Sequence, residues 1–194
     1  MEKDYFIREA IKSSTDTENK ILNNRETLNI IENIIDAIEE ALRKGKKILF
    51  CGNGGSAADA QHLAAELAGK FYLDREPISA EALHVNTSFL TAVANDISYN
   101  EVFARSIRGT AKKGDVLVAI STSGNSSNIL KAIETANNMK MITVGLTGQE
   151  GGKMKNVCKY LVKVPSTDTP RIQESHVLVG HIICEIVEKR IFGA

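Results

Sequence analysis

Two loops of this 194-residue chain gather groups that hold anions, and two further stretches carry side chains able to move protons or bind a metal. Gly52-Asn53-Gly54-Gly55-Ser56-Ala57 follows a short apolar run. Glycines there let backbone approach a ligand, and free amides at the start of a following helix attract anions, so the turn suits a phosphate; a plain structural turn is the competing reading. The spacing of Gly52, Gly54 and Ala57 also satisfies a dinucleotide pattern. The next strand, however, ends in His84-Val85-Asn86 without the acidic residue that grips a ribose, which weakens a NAD reading. Ser121-Thr122-Ser123-Gly124-Asn125-Ser126 gathers hydroxyls and amides at a second helix start. Neither loop has a Walker lysine, so a single sugar phosphate fits better than a nucleoside triphosphate with magnesium. Helix capping by Ser126 is the alternative for this loop. His62 and Glu66, four residues apart, share one helix face and can act together on a metal or a proton, or simply form a surface pair. Gln173 and His181, about two turns apart, can project from the same broad side of the last helix, where a lone histidine also has a structural reading.

These groups need a scaffold that brings loop ends together. Short apolar runs at Lys47–Cys51, Ser79–His84, Val116–Ile120, Met141–Leu146 and Tyr160–Val164 read as parallel strands buried on both faces. Helical stretches separate them at Ala57–Lys70, Ser88–Ala94 and Ser126–Asn138. A last helix has Thr169 as N-cap and Pro170 as its first residue. The expected fold is α/β, a three-layer, doubly wound parallel sheet of about five strands, which binds ligands beyond the carboxyl ends of its strands. Ahead of it, Leu28, Ile31, Ile35, Ile38 and Leu42 mark a helix ending near Arg43-Lys44-Gly45. A second line, Ile30, Ile34, Ala37 and Ala41, makes its apolar surface wider than one sheet face ordinarily covers. The expectation is that this helix, with the amphipathic Tyr5 to Ile11, builds an oligomer interface; a wide stripe inside one domain is the other reading.

Lys+Arg and Asp+Glu number 24 each, which argues against nucleic acid as a principal partner. The composition, 43% hydrophobic and 25% charged, is that of a folded domain. One domain is expected, with residues 1–45 as a helical segment and 46–194 as the sheet core. Cys51, Cys158 and Cys184 form no Cys-x-x-Cys pair and fit a reducing compartment. The acidic start lacks the basic-then-apolar pattern of a signal peptide, and no apolar run approaches a membrane span, so a cytoplasmic location with no membrane contact is expected.

Taken together, Cys51-Gly52-Asn53-Gly54-Gly55-Ser56, Ala94-Asn95-Asp96, Ile120 to Ser126 and Arg171-Ile172-Gln173-Glu174 resemble a sugar isomerase (SIS) domain, and more closely the phosphoheptose isomerases. The likeness covers nearly the whole chain. Initiator-associating proteins of the same group, which bind the bacterial replication initiator without catalysis, share most of these motifs. The enzyme branch is marked by a glutamate at Glu66 and a histidine at His181, and by Gly55 where the binding proteins tend to carry a bulkier residue. The resemblance implies that Asn53, Gly54 and Gly55 line the sugar and that Ser121, Thr122, Ser123 and Ser126 hold its phosphate. It implies further that Asn95, Asp96 and Gln173 contact hydroxyls, and that His62, Glu66, Gln173 and His181 bind one zinc ion, two nitrogens and two oxygens being an acceptable set. A homotetramer with sites near subunit contacts is implied too. One departure is Pro170, where members often carry an aspartate before Arg-Ile-Gln; here Asp168 lies two residues earlier.

The implied reaction converts sedoheptulose 7-phosphate to D-glycero-D-manno-heptose 7-phosphate through an enediol. It needs a base at carbon, a donor at oxygen and protection from water. Glu66 is expected to carry the carbon-bound proton and His181 to open the ring or shuttle the oxygen proton, with the reverse assignment also open. Isomerisation of another sugar phosphate and phosphosugar binding without turnover are the rival functions.

Overall fold

A computed structural model describes residues 2–193. Two helices come first, α1 (Glu2–Leu22) and α2 (Arg25–Arg43). Asn24 separates them: its backbone is extended, and its side chain accepts the Thr27 amide at 3.0 Å, capping α2. The chain then alternates through β1 (Ile48–Cys51), α3 (Gly55–Ala68), β2 (Ala80–Ala82) and α4 (Thr87–Asp96). A 3-10 turn at Tyr99–Glu101 leads into α5 (Val102–Thr110) and β3 (Val116–Ile120). Next come α6 (Ser127–Asn138), β4 (Ile142–Thr147), a second 3-10 turn at Gly152–Asn156, β5 (Tyr160–Lys163) and α7 (Thr169–Phe192).

All pairings are parallel, in the order β2-β1-β3-β4-β5. Alternate residues of the inner strands feed two cores, as a two-residue period requires. Ile48, Phe50, Val116 and Val118 pack with α2, α3 and α7; Leu49, Cys51, Leu117 and Ala119 pack with α4, α5 and α6. The three-layer α/β/α architecture expected from the sequence is the one observed. The strand order reverses at β1, which has β2 on one side and β3 on the other, so the crevice of this sheet opens between the carboxyl ends of β1 and β3. Register places Cys51 opposite Ala119, so the two strands end within a residue of each other and release their loops side by side.

Several sequence expectations need correction. The outer strands β2 and β5 are not buried on both faces: Glu81 and Lys163 are exposed, because an edge strand has one neighbour and less helix above it. β2 is also shorter than Ser79–His84. The amphipathic Tyr5 to Ile11 is part of the much longer α1, and α5, whose Val102, Phe103 and Ile107 are buried, went unforeseen. The second apolar line of α2 finds its partner inside the chain: Ile34, Ala37 and Ala41 are buried, with Ile34 and Ala41 in the core that includes α7. What remains uncovered is Tyr5, Phe6, Ile7, Ile11 and Leu22 of α1. At α7 the N-cap is Asp168, not Thr169, since the Asp168 carbonyl already accepts the Ile172 amide at 3.0 Å. Among the described residues no helix is long and apolar enough to cross a membrane.

Candidate active site

The glycine turn closes because its glycines are glycines. A Cβ on Gly52 would run into the Ser56 carbonyl, and Gly54 has φ +56°, a left-handed backbone that side chains disfavour. Helix α3 therefore begins abruptly at Gly55 with no side-chain cap, the Ala57 and Ala58 amides donating to the Gly54 carbonyl while the helix start opens on the mouth of the crevice. Across from it, a Cβ on Gly55 would strike the amide of Gln173, so the first turn of α7 lies directly against the start of α3. The residues that the sequence proposed for sugar contact at Gly54, Gly55 and Gln173 thus lie in one place.

Asn53 behaves differently. Its side-chain amide pairs reciprocally with that of the buried Asn128, both bonds at 2.9 Å, and its oxygen also accepts the Tyr99 hydroxyl at 3.0 Å. Its side chain is thereby committed to tying the glycine turn to α6 and to the loop after α4. Tyr99 and Asn128 are the members of this clamp that sequence reading missed. Asn95 and Asp96 end α4, both exposed, with the Asn95 amide donating to Asp96 at 2.8 Å. They precede Tyr99 by a few residues, so the same clamp anchors their segment beside the crevice.

The second loop also departs from the bland reading. Ser126 is the N-cap of α6, yet its hydroxyl makes no capping bond. It lies 3.1 Å from the Ser121 hydroxyl, which in turn is 3.5 Å from that of Ser123. Three hydroxyls therefore converge at a positive helix end whose first amides have no carbonyl a turn earlier, a suitable cradle for a phosphate dianion. Thr122 and Ser123 line an adjoining cleft of about 300 Å³, with Gln149, Ser166 and Ile172 on its other walls.

His62, Glu66 and His181 meet where α3 and α7 pack. The Nε2 atoms of the two histidines are 2.7 Å apart, and His62 Nε2 is 3.6 Å from Glu66 Oε1. The i,i+4 spacing puts the first two on one face of α3, and α7 brings the third. Ligand atoms of all three lie within 4.8 Å of one another. Two imidazole nitrogens and a carboxylate oxygen suit a divalent transition metal such as zinc. Gln173, two turns before His181, places its amide against Gly55. The Phe71 ring, 5.5 Å from His181, shields the site on one side.

Arg171-Ile172-Gln173-Glu174 uses its helical turn in three directions. Arg171 and Glu174 pair at 2.9 Å and dock α1, through the Ala10 carbonyl and the Ser14 hydroxyl respectively. Ile172 is buried with Ile21 and Val164. Only Gln173 faces the glycine turn. Pro170 leaves Asp168 as the acid that precedes Arg171 in the chain, exposed and 3.9 Å from its guanidinium.

A five-stranded parallel sheet whose switch-point crevice is flanked by a glycine turn and a hydroxyl-rich loop is the architecture of a SIS domain. The SIS domain signature matches residues 12–148. Phosphoheptose isomerase from Clostridium acetobutylicum is 50% identical over 188 residues, covering 97% of this chain and 96% of its own. The enzyme of the same name from Aneurinibacillus thermoaerophilus is 49% identical over 187 residues, 96% of this chain and 94% of its own. Among solved structures, phosphoheptose isomerase from Neisseria gonorrhoeae superposes with a TM-score of 0.90 at 36% identity, covering 96% of this chain and 98% of that one. The Francisella tularensis structure gives 0.92 at 33% identity, covering 97% and 100%. The chain belongs to the phosphoheptose isomerase family of SIS domain proteins.

Proposed function

We propose that this protein interconverts sedoheptulose 7-phosphate and D-glycero-D-manno-heptose 7-phosphate, the entry step toward nucleotide-activated heptose. The observation that carries this reading is the meeting of Glu66 with the His62–His181 pair in a chain that also gathers the Ser121 and Ser126 hydroxyls at a helix start. The hydroxyls of Ser121, Ser123 and Ser126, with Thr122, hold the phosphate. Gly54, Gly55, Gln173, Asn95 and Asp96 orient the sugar chain, and Asn53 holds the turn that receives it. Glu66 takes the carbon-bound proton and returns it to the neighbouring carbon, while His181 serves the ring oxygen; the positions of the two groups permit the reverse as well.

Zinc is the metal we assign to His62, Glu66 and His181, with Gln173 as fourth ligand; when bound it supplies Lewis-acid polarisation of the substrate oxygens. Tyr5, Phe6, Ile7 and Ile11 of α1 are exposed, and Leu22 at its other end lines a groove of about 440 Å³ with Leu28, Ile35, Leu178, Ile182 and Ile186. Both favour assembly through these helices, which we take to give a homotetramer. Three free cysteines, two of them buried, suit the reducing cytoplasm.

The test is product analysis. Purified protein is incubated with sedoheptulose 7-phosphate, and separately with other ketose phosphates, while proton NMR follows the anomeric region. An aldose signal specific to the heptulose supports the proposal. A folded protein that turns over only another ketose phosphate, or none, moves the function to a different isomerase or to phosphosugar binding.

A further inference from the structure

We propose that Arg75 and Glu188 are a buried positioning pair, which sets the spacing of α3 and α7 and so holds His62 and Glu66 against His181; the inference rests on the site assignment above. Neither side chain is exposed beyond 2%, and their ion pair measures 2.7 Å. Glu188, on α7, uses both oxygens fully. Oε1 accepts the Phe71 amide and Arg75 Nε, and Oε2 accepts the amides of Tyr72 and Leu73 at 2.8 and 3.0 Å. Burial alone would push this carboxyl up, but those amides and the guanidinium hold it low, so it stays charged.

The remaining donors of Arg75 go to the end of α3 and to the neighbouring Glu76 carbonyl. Nη2 donates to the Glu66 carbonyl at 3.1 Å, and Nη1 to the carbonyls of Leu67, Gly69 and Glu76 at 2.9, 3.1 and 3.1 Å. The carbonyls of a last helical turn have no intrahelical amide to accept, so Arg75 serves as the C-terminal cap of the helix that carries His62 and Glu66. Two chains of contact therefore run from Glu188 to the site. One passes through Arg75 to the backbone of Glu66. The other passes through the Phe71 amide to the Phe71 ring, which packs against His181. Glu188 itself lies seven residues after His181, on the same face of α7.

Stability alone does not account for such a pair, since buried ion pairs are often replaceable by apolar residues without loss. What an apolar pair cannot do is bond the open carbonyls of α3 and the amides of residues 71–73 at once. Geometry is therefore the property this pair adds.

The test uses Glu188→Gln and Arg75→Lys in the full-length protein. Asp115→Asn is the control: Asp115 is likewise a buried carboxylate accepting two backbone amides, those of Lys47 and Lys112, but neither bond reaches α3 or α7. With four histidines per chain, ring signals of metal-free, 15N-histidine-labelled protein are assignable by substitution. The contact between the rings of His62 and His181 is read from their Nε2 shifts and ring-to-ring NOEs. Both site variants are expected to lose this contact, and zinc affinity by chelator competition is expected to fall tenfold or more, while Asp115→Asn keeps both. If Glu188→Gln does not fold, Arg75→Lys decides, because its single ammonium cannot span the carbonyls. Retention of the ring contact in the folded variants overturns the proposal. Wild-type protein that binds no zinc contradicts the metal assignment instead, and the ring signals still decide the positioning role.

Discussion

His62 and His181 face each other through their Nε2 atoms at 2.7 Å, across a sequence separation of 119 residues. One ring must donate the proton that the other accepts, because two unprotonated nitrogens would repel at that distance. A metal bound here would replace that contact, each imidazole then presenting an unprotonated Nε2. His62→Ala and His181→Ala should each weaken zinc by more than the roughly 10–100-fold typical of outer partners of a metal ligand. Chelator competition measures this, and unchanged affinity in both variants contradicts the assignment.

The convergence of Ser121 and Ser126 separates two readings of the same loop. If Ser126 served mainly as a helix cap, Ser126→Ala would cost about 1 kcal/mol of stability. Its hydroxyl makes no capping bond, so the expectation is a change within about 0.5 kcal/mol. A hydrogen bond to a charged group is worth about 1.5–3 kcal/mol, so Ser126→Ala and Ser121→Ala should each lower kcat/KM by roughly 10–100-fold. Thermal melts and steady-state kinetics on the two variants check both halves.

His176 gives a stability effect apart from catalysis. It is fully buried on α7, and burial pushes its pKa from 6.5 down to about 4 against a smaller upward pull from the Thr147 backbone. The unfolded chain takes up this proton near its ordinary value, whereas the folded protein resists. Stability is therefore untouched by this group above about pH 6.5 and falls as pH drops towards 4, by about 3 kcal/mol over the window. Denaturant unfolding of His176→Phe between pH 7 and 4 should lose that part of the wild-type slope. An identical slope in the variant would contradict the prediction.

Local patterns carried most of the fold and half of the site. The glycine turn, the Ser/Thr loop and the His62–Glu66 pair are each encoded within a few residues, where spacing alone sets geometry, and β1 and β3 are short apolar runs with clear ends. The meeting of His181 with His62 was not legible from spacing, because it depends on how α7 packs across α3; only the family resemblance named the two together. Tyr99 and Asn128 escaped notice for a related reason, since a tyrosine in a loop and an asparagine in a helix look ordinary until Asn53 is placed between them. Helix α5 was missed because its apolar residues are few and the helix is short. The width of the α2 stripe left an oligomer interface and burial inside one domain both open; α7 of the same chain covers much of it, a packing that spacing alone does not specify.

The central claim is that Glu66 moves the carbon-bound proton. Glu66→Gln keeps the shape of the side chain and removes its basicity, and the side chain is partly exposed, so the fold should survive. The decisive measurement is turnover of sedoheptulose 7-phosphate by this variant beside wild type, with melting temperature and oligomeric state matched. Loss of turnover by about 100-fold or more, the scale of a general base, is the predicted result. Turnover close to wild type would remove Glu66 from the reaction.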